Sequence, residues 1–268
     1  MKVVISGSTD IGQRRSRNED SFCIDENVGL LVVADGVGGA ASGEVASKMA
    51  ADVIRDYVRK ENDQSKPLHS QYRQEFSHAT NLLGSAVKFA NMAIYEASNS
   101  DPKLNGMATT IVAAILRGDR LSITHAGDSR LYLMRGNNIE QLTDDHSLIA
   151  EQIRKGILTK EEAKEVGMRN VITRSLGFTP DVEVDLDEMT VYDGDILLLC
   201  SDGLYTMVPE SSMLNTAKSS NDPNEVCRRL IDFANKKGGR DNITVVIAYL
   251  YKKRLFSFLL DLFKRKWR

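Results

Sequence analysis

Apolar side chains recur at helical spacing in the first hundred residues. Residues 42–60 and about 72–98 each carry an apolar stripe, and Ser42 followed by Glu44 is typical of a helix N-terminus. The pattern therefore predicts two early helices, with Ser42 as the N-cap of the first. Their core-facing stripes are predicted to be Ala46, Ala50, Val53 and Tyr57, then Leu83, Val87, Ala90 and Ile94.

Short, apolar, β-branched runs replace the helical pattern after residue 106. The runs at 109–116, 121–125 and 130–135 are separated by glycine-containing pairs at 118–119 and 136–137. Such pairs are typical of hairpin turns, so these strands are predicted to be antiparallel. Further strands are predicted at 30–34, 196–200 and 243–250, and a late helix from Asp222-Pro223 to Gly238-Gly239.

The order of these elements predicts an α+β fold, with helices outside a core of two packed antiparallel β-sheets. Residues 1–250 are interpreted as one domain. A polar stretch at about 144–185, with two short helical pieces, interrupts it, and a segment of this length between strands is typical of a functional flap. Residues 251–268 form a separate C-terminal tail.

Composition excludes several classes of protein. The 268 residues are 42% apolar and 27% charged, with no run approaching the ~20 apolar residues of a membrane span and no signal-peptide pattern. The three cysteines are isolated, which indicates a reducing cytoplasm rather than a disulfide framework. Net charge is −2, and because a basic excess lies in the tail, the remaining acidic body argues against nucleic-acid binding.

The tail combines basic and apolar residues. Residues 252–268 contain seven Lys or Arg and one Asp around a stretch rich in Leu and Phe. This pattern resembles a helix that binds an anionic membrane surface, and it equally fits a helix that packs on its own domain or binds a protein partner. The protein is expected to be a cytoplasmic monomer, with a peripheral position at the inner membrane face as the alternative location.

Five aspartates stand at the ends of apolar runs or in tight glycine-containing turns: Asp20, Asp35, Asp128, Asp202 and Asp241. Taken singly, each is most typical of a turn. Two carboxylates 4 Å apart repel by roughly 4 kcal/mol at an effective dielectric near 20, so their convergence would require a cation. Oxygen ligands without paired His or Cys favour Mg²⁺ or Mn²⁺ over Zn²⁺.

Seven short segments follow one another along nearly the whole chain: Arg15-Ser16-Arg17-Asn18-Glu19-Asp20, Ala34-Asp35-Gly36-Val37-Gly38-Gly39, Met107-Ala108-Thr109-Thr110, Gly127-Asp128-Ser129-Arg130, Asp145-His146-Ser147, Ser201-Asp202-Gly203 and Asp241-Asn242. In this order they resemble the motifs of the metal-dependent protein Ser/Thr phosphatases of type 2C, in particular the compact bacterial members. One such segment is weak evidence, whereas seven in the right order are strong.

This resemblance implies an α-β-β-α sandwich and a centre of two or three Mn²⁺ or Mg²⁺ ions. It makes Asp35 the carboxylate that bridges two ions, with the carbonyl of Gly36 as an additional ligand. The other metal ligands would be Asp202 and Asp241 at the first ion, Asp20 and Glu19 through waters at the second, and Asp128 at a third.

The implied reaction is hydrolysis of phosphoserine and phosphothreonine on proteins. Arg15 matches the family's phosphate-binding arginine, and a guanidinium can grip two phosphoryl oxygens at once. A water bridging two cations would lose its proton and attack phosphorus in line, so no Cys or Ser nucleophile is expected. Val37 stands where many eukaryotic members carry a histidine proposed as general acid, which leaves leaving-group protonation to metal-bound water.

Two features keep alternatives open. His146, at the start of the flap, either approaches the substrate or orders the loop. Gly36-Val37-Gly38-Gly39-Ala40-Ala41 also satisfies a dinucleotide-binding fingerprint, which would indicate a Rossmann oxidoreductase. The type 2C fold could also serve as a non-catalytic binding module.

By family analogy, the expected partners are phosphorylated proteins, including a Ser/Thr kinase that the enzyme counteracts and that kinase's substrates.

Overall fold

Two antiparallel sheets packed face to face form the centre of the computed structural model, and helices cover both outer faces. The structure describes residues 1–37, 42–60, 68–159, 162–163 and 171–252. The predicted α+β class and the α-β-β-α sandwich are both confirmed. Every strand pairing among these residues is antiparallel, so the alternative of a Rossmann fold, which requires a parallel sheet, is wrong.

Each sheet contains five strands in its main hydrogen-bonded path. The first runs, in spatial order, β1 (Lys2–Asp10), β11 (Ile243–Tyr251), β10 (Ile196–Cys200), β7 (Arg130–Arg135) and β8 (Asn138–Gln141). The second runs β2 (Asp20–Asp25), β3 (Leu30–Val37), β5 (Ile111–Arg117), β6 (Arg120–Ala126) and β9 (Asp185–Thr190), with β4 (Ala108–Thr109) pairing β3 beyond this path.

The helices divide between the two outer faces. α1 (Ser42–Lys60) and α2 (His78–Ser100) pack on the second sheet. On the first sheet lie α4 (Asp202–Tyr205), α5 (Glu210–Lys218) and α6 (Pro223–Lys236). α3 (Leu148–Arg154) belongs to the predicted flap.

The continuous apolar runs are explained by strands that are covered on both faces. In β3, Leu30 and Val32 pack toward the helices, whereas Leu31 and Val33 pack against the other sheet. Side chains alternate across a strand, so a strand between two apolar layers needs an apolar residue at every position. The central strand β10 follows the same rule.

Several local predictions are confirmed by the hydrogen bonds. Arg117 pairs with Arg120 across the turn at 118–119, and Arg135 pairs with Asn138 across the turn at 136–137. The carboxylate of Asp222 accepts a hydrogen bond from the Asn224 backbone N–H, which makes Asp222 the N-cap of α6.

The start of α1 and its stripe were predicted incorrectly in detail. Ser42 is the first residue of α1 rather than its N-cap, and its hydroxyl donates to the carbonyl of Lys103. Val53 and Tyr57 flank the core and are only partly buried. Because positions four apart stay on one face over this length, the fully buried stripe is Ala46, Ala50, Ile54 and Val58.

The second helix starts six residues later than predicted. Ser77 is its N-cap and accepts a hydrogen bond from the Thr80 N–H. The Asn81 side chain binds the backbone of Arg73, Phe76 and Ser77, so the preceding segment has side-chain partners in place of helical ones. The predicted stripe of this helix is buried throughout.

The flap leaves the sandwich between β8 and β9, and one isolated bridge lies within it while a second joins it to β4. Ser147 pairs with Ile172, and Leu176 pairs with Thr109 beside β3. The described part contains α3 and a helical turn at 162–163. Residues 253–268 of the predicted tail lie outside the described residues, and none of the described helices is long and apolar enough to cross a membrane.

Candidate metal centre

The predicted aspartates meet at one end of the sandwich. Asp20 and Asp35 are direct partners in the ladder between β2 and β3. On the neighbouring sheet, Cys200 at the end of β10 pairs with Val245 near the start of β11 and with Arg130 at the start of β7. The loops that bear the other three aspartates therefore open at a common end, at Asp128 before β7, Asp202 after β10 and Asp241 before β11.

The electrostatics of these side chains confirm their closeness. The pKa of Asp35 is raised well above its ordinary value, chiefly by desolvation and then by repulsion from Asp20, Asp202, Asp128 and Asp241. Burial, followed by repulsion from Asp128, raises the pKa of Asp202 to about 8. Burial also raises the pKa of Asp20 to about 6. Without a cation, this cluster lowers its repulsion by holding protons.

Two carboxylate oxygens of the cluster are buried without a hydrogen-bond partner. They are Oδ1 of Asp20 and Oδ1 of Asp202. The other oxygen of Asp20 accepts a hydrogen bond of 2.7 Å from the Ser201 hydroxyl, which fixes the carboxylate and leaves Oδ1 directed elsewhere. Buried oxygens in this state fit hard divalent cations, so the donor set present suits Mg²⁺ or Mn²⁺.

Gly36 occupies a position where only glycine fits. A Cβ atom there would lie 2.1 Å from the carbonyl oxygen of Gly43 and 2.6 Å from that of Glu19. The Gly36 N–H donates to the same Glu19 carbonyl at 3.1 Å. The close approach therefore places the Glu19 segment, the end of β3 and the start of α1 side by side. Burial is the main reason that the pKa of Glu19 is raised.

Arg15 lies at the mouth of the site. Its Nη2 atom is 2.7 Å from Oδ2 of Asp241, and about half of its side-chain surface is exposed. This hydrogen bond is the main cause that raises the pKa of Arg15, and Glu19 and Asp202 add to it. The predicted phosphate-binding arginine thus stands beside the predicted metal ligands.

Two residues without a predicted role hold the site together. The Asn242 side chain accepts a hydrogen bond from the Glu19 N–H and donates to the carbonyls of Ile11 and Arg17. Ser201 fixes Asp20, as described above. Both residues were part of the recognised segments, but only as neighbours of aspartates. The sequence carries no signal for these contacts, which span 181 to 231 positions.

The Thr109-Thr110 segment supports Asp35 through the backbone. The Thr110 N–H and the Thr109 hydroxyl both donate to the Asp35 carbonyl, at 2.8 and 3.0 Å. The Thr110 hydroxyl also pairs with the Ser129 hydroxyl at 2.7 Å, next to Asp128. These contacts join the loops of Asp35 and Asp128.

A cavity of about 280 Å³ opens between the cluster and the flap. Asp128 and Asp202 lie on one side of it, and Ile149 and Ile153 of α3 lie on the other. Burial and repulsion from Asp145 raise the pKa of Asp128 to about 6. The cavity therefore connects the carboxylates to an apolar wall of the flap.

His146 is fully buried, which favours its loop-ordering alternative over substrate contact. Its Nδ1 atom accepts a hydrogen bond from the Gly127 N–H, so Nε2 carries the proton and points to Asp185 at 3.3 Å. The ring also stacks on that of His125, with centroids 4.7 Å apart. His146 thus connects the start of the flap, by a hydrogen bond, to the loop that contains Gly127 and Asp128.

His125, His146 and Asp185 also lie close enough together to hold a metal ion. The Arg174 guanidinium already supplies a cation there, because its Nη1 atom lies 2.8 Å from Asp185 Oδ1 and 3.3 Å from His146 Nε2. We interpret this group as an ion-paired anchor for the flap rather than as part of the aspartate centre.

Comparisons with known proteins find similar sequences over most of the chain. The sequence model of the family described as Protein phosphatase 2C matches residues 11–244. The serine/threonine phosphatase stp of Listeria monocytogenes serotype 4b is 40% identical over 243 residues, which cover 90% of this chain and 93% of that protein. Protein phosphatase PhpP of Streptococcus pneumoniae is 33% identical over 247 residues, covering 91% and 96%.

Solved structures show the same similarity in three dimensions. The crystal structure of the serine/threonine phosphatase PstP/Ppp of Mycobacterium tuberculosis superposes with a TM-score of 0.82 at 34% identity, covering 93% of this chain and 99% of that one. The catalytic domain of PstP in complex with two manganese ions superposes with a TM-score of 0.78, also at 34% identity and with the same coverage.

Proposed function

This chain belongs to the protein phosphatase 2C family, and from that premise we propose how its own side chains divide the work of the reaction. The chain is a metal-dependent protein serine/threonine phosphatase whose substrates are phosphorylated proteins and whose cofactor is manganese or magnesium. The observation that carries the site assignment is the convergence of five aspartates whose buried oxygens Asp20 Oδ1 and Asp202 Oδ1 have no hydrogen-bond partner.

Seven residues would hold the ions. Asp35 would be the central ligand, because the other four aspartates of the cluster all act on its carboxylate. When bound, the ions supply Lewis acidity, which acidifies a water molecule and offsets the charge of the phosphoryl group. The remaining proposed ligands are the carbonyl of Gly36 and the carboxylates of Asp202, Asp241, Asp20, Glu19 and Asp128.

Arg15 is proposed to bind the phosphoryl group of the substrate. Its guanidinium is half exposed at the mouth of the site, so an arriving phosphate can reach it from solvent. Asp241 holds the side chain in place before substrate binds. The planar fork can then donate two parallel hydrogen bonds to phosphoryl oxygens and stabilise the charge that grows on them in the transition state.

The direct test of this assignment is Asp35→Asn. The substitution keeps the size of the side chain and removes the charge, so hydrolysis of a phosphothreonine peptide and of p-nitrophenyl phosphate should fall at least 10³-fold, as when a central catalytic group is lost. EDTA should abolish the activity of the wild type, and added Mn²⁺ should restore it. Asp232→Asn, an exposed position on α6, is the matched control and should leave the rate unchanged. Full activity of Asp35→Asn would contradict the proposed centre.

The partners and the location of the protein remain proposals beyond this. We propose that it counteracts a Ser/Thr kinase, acts as a monomer and works in the cytoplasm.

Three binding surfaces stay open for residues 251–268, namely the domain itself, a protein partner or an anionic membrane surface. Co-sedimentation of the full chain and of a 1–250 truncation with anionic vesicles tests the membrane alternative, which equal sedimentation would remove. Phosphoproteomes of wild-type and Asp35→Asn strains would identify the substrates.

A further inference from the structure

Tyr205 connects two parts of the site that the family motifs leave separate. It is the last residue of α4, the short helix that begins at Asp202. Its ring lies against the Arg130 guanidinium, whose Cζ atom is 3.6 Å from the ring centroid. Its side chain also lines the same cavity as Asp128, the proposed ligand of a third ion.

The guanidinium of Arg130 is held rigidly in place. Its Nε and Nη2 atoms donate to the two carboxylate oxygens of Asp145, at 2.9 and 2.7 Å. Its third nitrogen, Nη1, donates to the Tyr132 hydroxyl at 2.8 Å. A guanidinium fixed on three sides is a flat platform for an aromatic ring. Arg130 lies in β7 and Asp145 lies at the start of the flap, so their ion pair connects β7 to the flap.

Asp128 stands in a loop between two strands, so its carboxylate depends on neighbouring side chains for its orientation. It is only 7% exposed, and nearby Asp145 repels it. Burial raises its pKa and the Tyr205 side chain opposes this rise, which indicates that the two groups lie close together. Both residues line the 280 Å³ cavity between the aspartates and α3.

We propose that Tyr205 is a positioning residue that orients the Asp128 carboxylate toward a metal ion and couples this ligand, through Arg130 and Asp145, to the start of the flap. The inference rests on the proposed function, since it takes Asp128 as a ligand. Partners that orient metal ligands without touching the ion typically change metal affinity 10- to 100-fold when they are removed.

The test uses Tyr205→Phe in the full-length protein. This variant keeps the ring over Arg130 and loses only the hydroxyl, so the fold should be retained with the metal-free melting temperature of the wild type. Titration calorimetry with Mn²⁺ should show one site weakened roughly 10- to 100-fold and the other sites unchanged. Asp128→Asn should remove the same site, and adding Tyr205→Phe to Asp128→Asn should have no further effect on Mn²⁺ binding.

The matched control is Tyr192→Phe, because Tyr192 also stacks on an arginine, Arg135, at 4.6 Å. It should bind Mn²⁺ as the wild type does. A second readout is the Mn²⁺ concentration for half-maximal activity, which should rise in Tyr205→Phe while kcat recovers at excess Mn²⁺. A general packing defect would not be rescued by metal.

Three results would decide against the proposal, and they differ in what they overturn. Unchanged Mn²⁺ affinity in Tyr205→Phe overturns the role of Tyr205 and leaves the proposed function intact. A wild type whose Mn²⁺ binding does not depend on Asp128 overturns both the positioning role and the assignment of Asp128. A wild type that binds no Mn²⁺ overturns the proposed metal centre as a whole.

Discussion

The carboxylates of Asp35 and its neighbours are placed so closely together that a bound cation would stabilise them. Burial first, and then repulsion from the neighbouring aspartates, raises the pKa of Asp35 well above its ordinary value. The Ser201 hydroxyl donates a hydrogen bond to Asp20. A cation removes the repulsion and uses the two oxygens that have no hydrogen-bond partner. The residues that keep the carboxylates in place are therefore as important as the ligands.

Asn242→Ala tests this at the level of a single side chain. Asn242 makes three hydrogen bonds that hold the segment from Ile11 to Glu19. Their loss should lower the free energy of unfolding by roughly 2–4 kcal/mol, at about 1 kcal/mol for each bond plus the cost of unpaired groups. Urea unfolding would measure the change, and kcat/KM should also fall because Arg15 and Glu19 lie in or beside this segment.

Asn99→Ala is the corresponding control. Asn99 is exposed and, within the described part of the chain, its side chain bonds only to the Tyr95 carbonyl one helical turn earlier. Its replacement should change the unfolding free energy by less than about 0.5 kcal/mol. If Asn242→Ala had an equally small effect, the loop would not depend on this side chain.

At the scale of elements, the four strands at the sheet edges are those that the hydrophobic pattern did not predict. β1, β8, β2 and β9 are the outermost strands of the two sheets. Most of their side chains are partly exposed. An edge strand has a neighbour on one side only and mixes polar with apolar residues, so it has neither a continuous apolar run nor a regular alternation. The inner strands, which are buried on both faces, were predicted to within three residues at each end.

The end of β3 and the start of α1 contact each other through the backbones of Gly36 and Gly43. Gly36→Ala would place a Cβ atom 2.1 Å from the Gly43 carbonyl, and backbone on both sides prevents a local adjustment. We expect α1 to be pushed from the end of β3, with a loss of about 3 kcal/mol in stability and a large fall in phosphatase activity. Urea unfolding and the rate on a phosphothreonine peptide measure the two effects.

Gly84→Ala, inside α2, is the matched control. There the new Cβ atom would meet only the side chain of Leu186, at 2.8 Å, and that side chain can move. Alanine is also the better helix former. The two glycines should therefore differ clearly, and an equal response to both substitutions would contradict the close approach at Gly36.

For the whole molecule, the acidic centre makes stability depend on pH. In the metal-free protein, the pKa values of Asp20 and Asp128 are raised to about 6 and that of Asp202 to about 8, mainly by burial. A carboxyl group with a higher pKa in the folded than in the unfolded state stabilises the fold fully below its unfolded pKa, near 4. That contribution is lost as the pH rises through the folded pKa.

The melting temperature in EDTA should consequently fall by about 5 °C or more between pH 5 and pH 8.5, since 1 kcal/mol corresponds to ~2–4 °C for a domain of this size. Saturating Mn²⁺ should remove most of this slope, because the ions compensate the charge and bind only the folded state. Differential scanning fluorimetry at both conditions would measure it. The same slope with and without Mn²⁺ would show that these carboxyl groups do not meet.

The sequence by itself determined which side chains are available and which strands lie inside. The seven segments contain every proposed ligand, and the apolar runs and hairpin turns indicate two antiparallel sheets. These features are local, because the period of side chains along a strand or helix directly reflects which faces are buried.

Only the tertiary structure decided which residues face each other across the fold. It paired Asp20 with Asp35, placed Asn242 against Glu19, buried His146 beneath the flap and set Tyr205 between Arg130 and Asp128. Such contacts depend on the order of strands in each sheet and on how the two sheets pack. Residues that are far apart in the chain therefore acquire their roles from a geometry that no local pattern encodes.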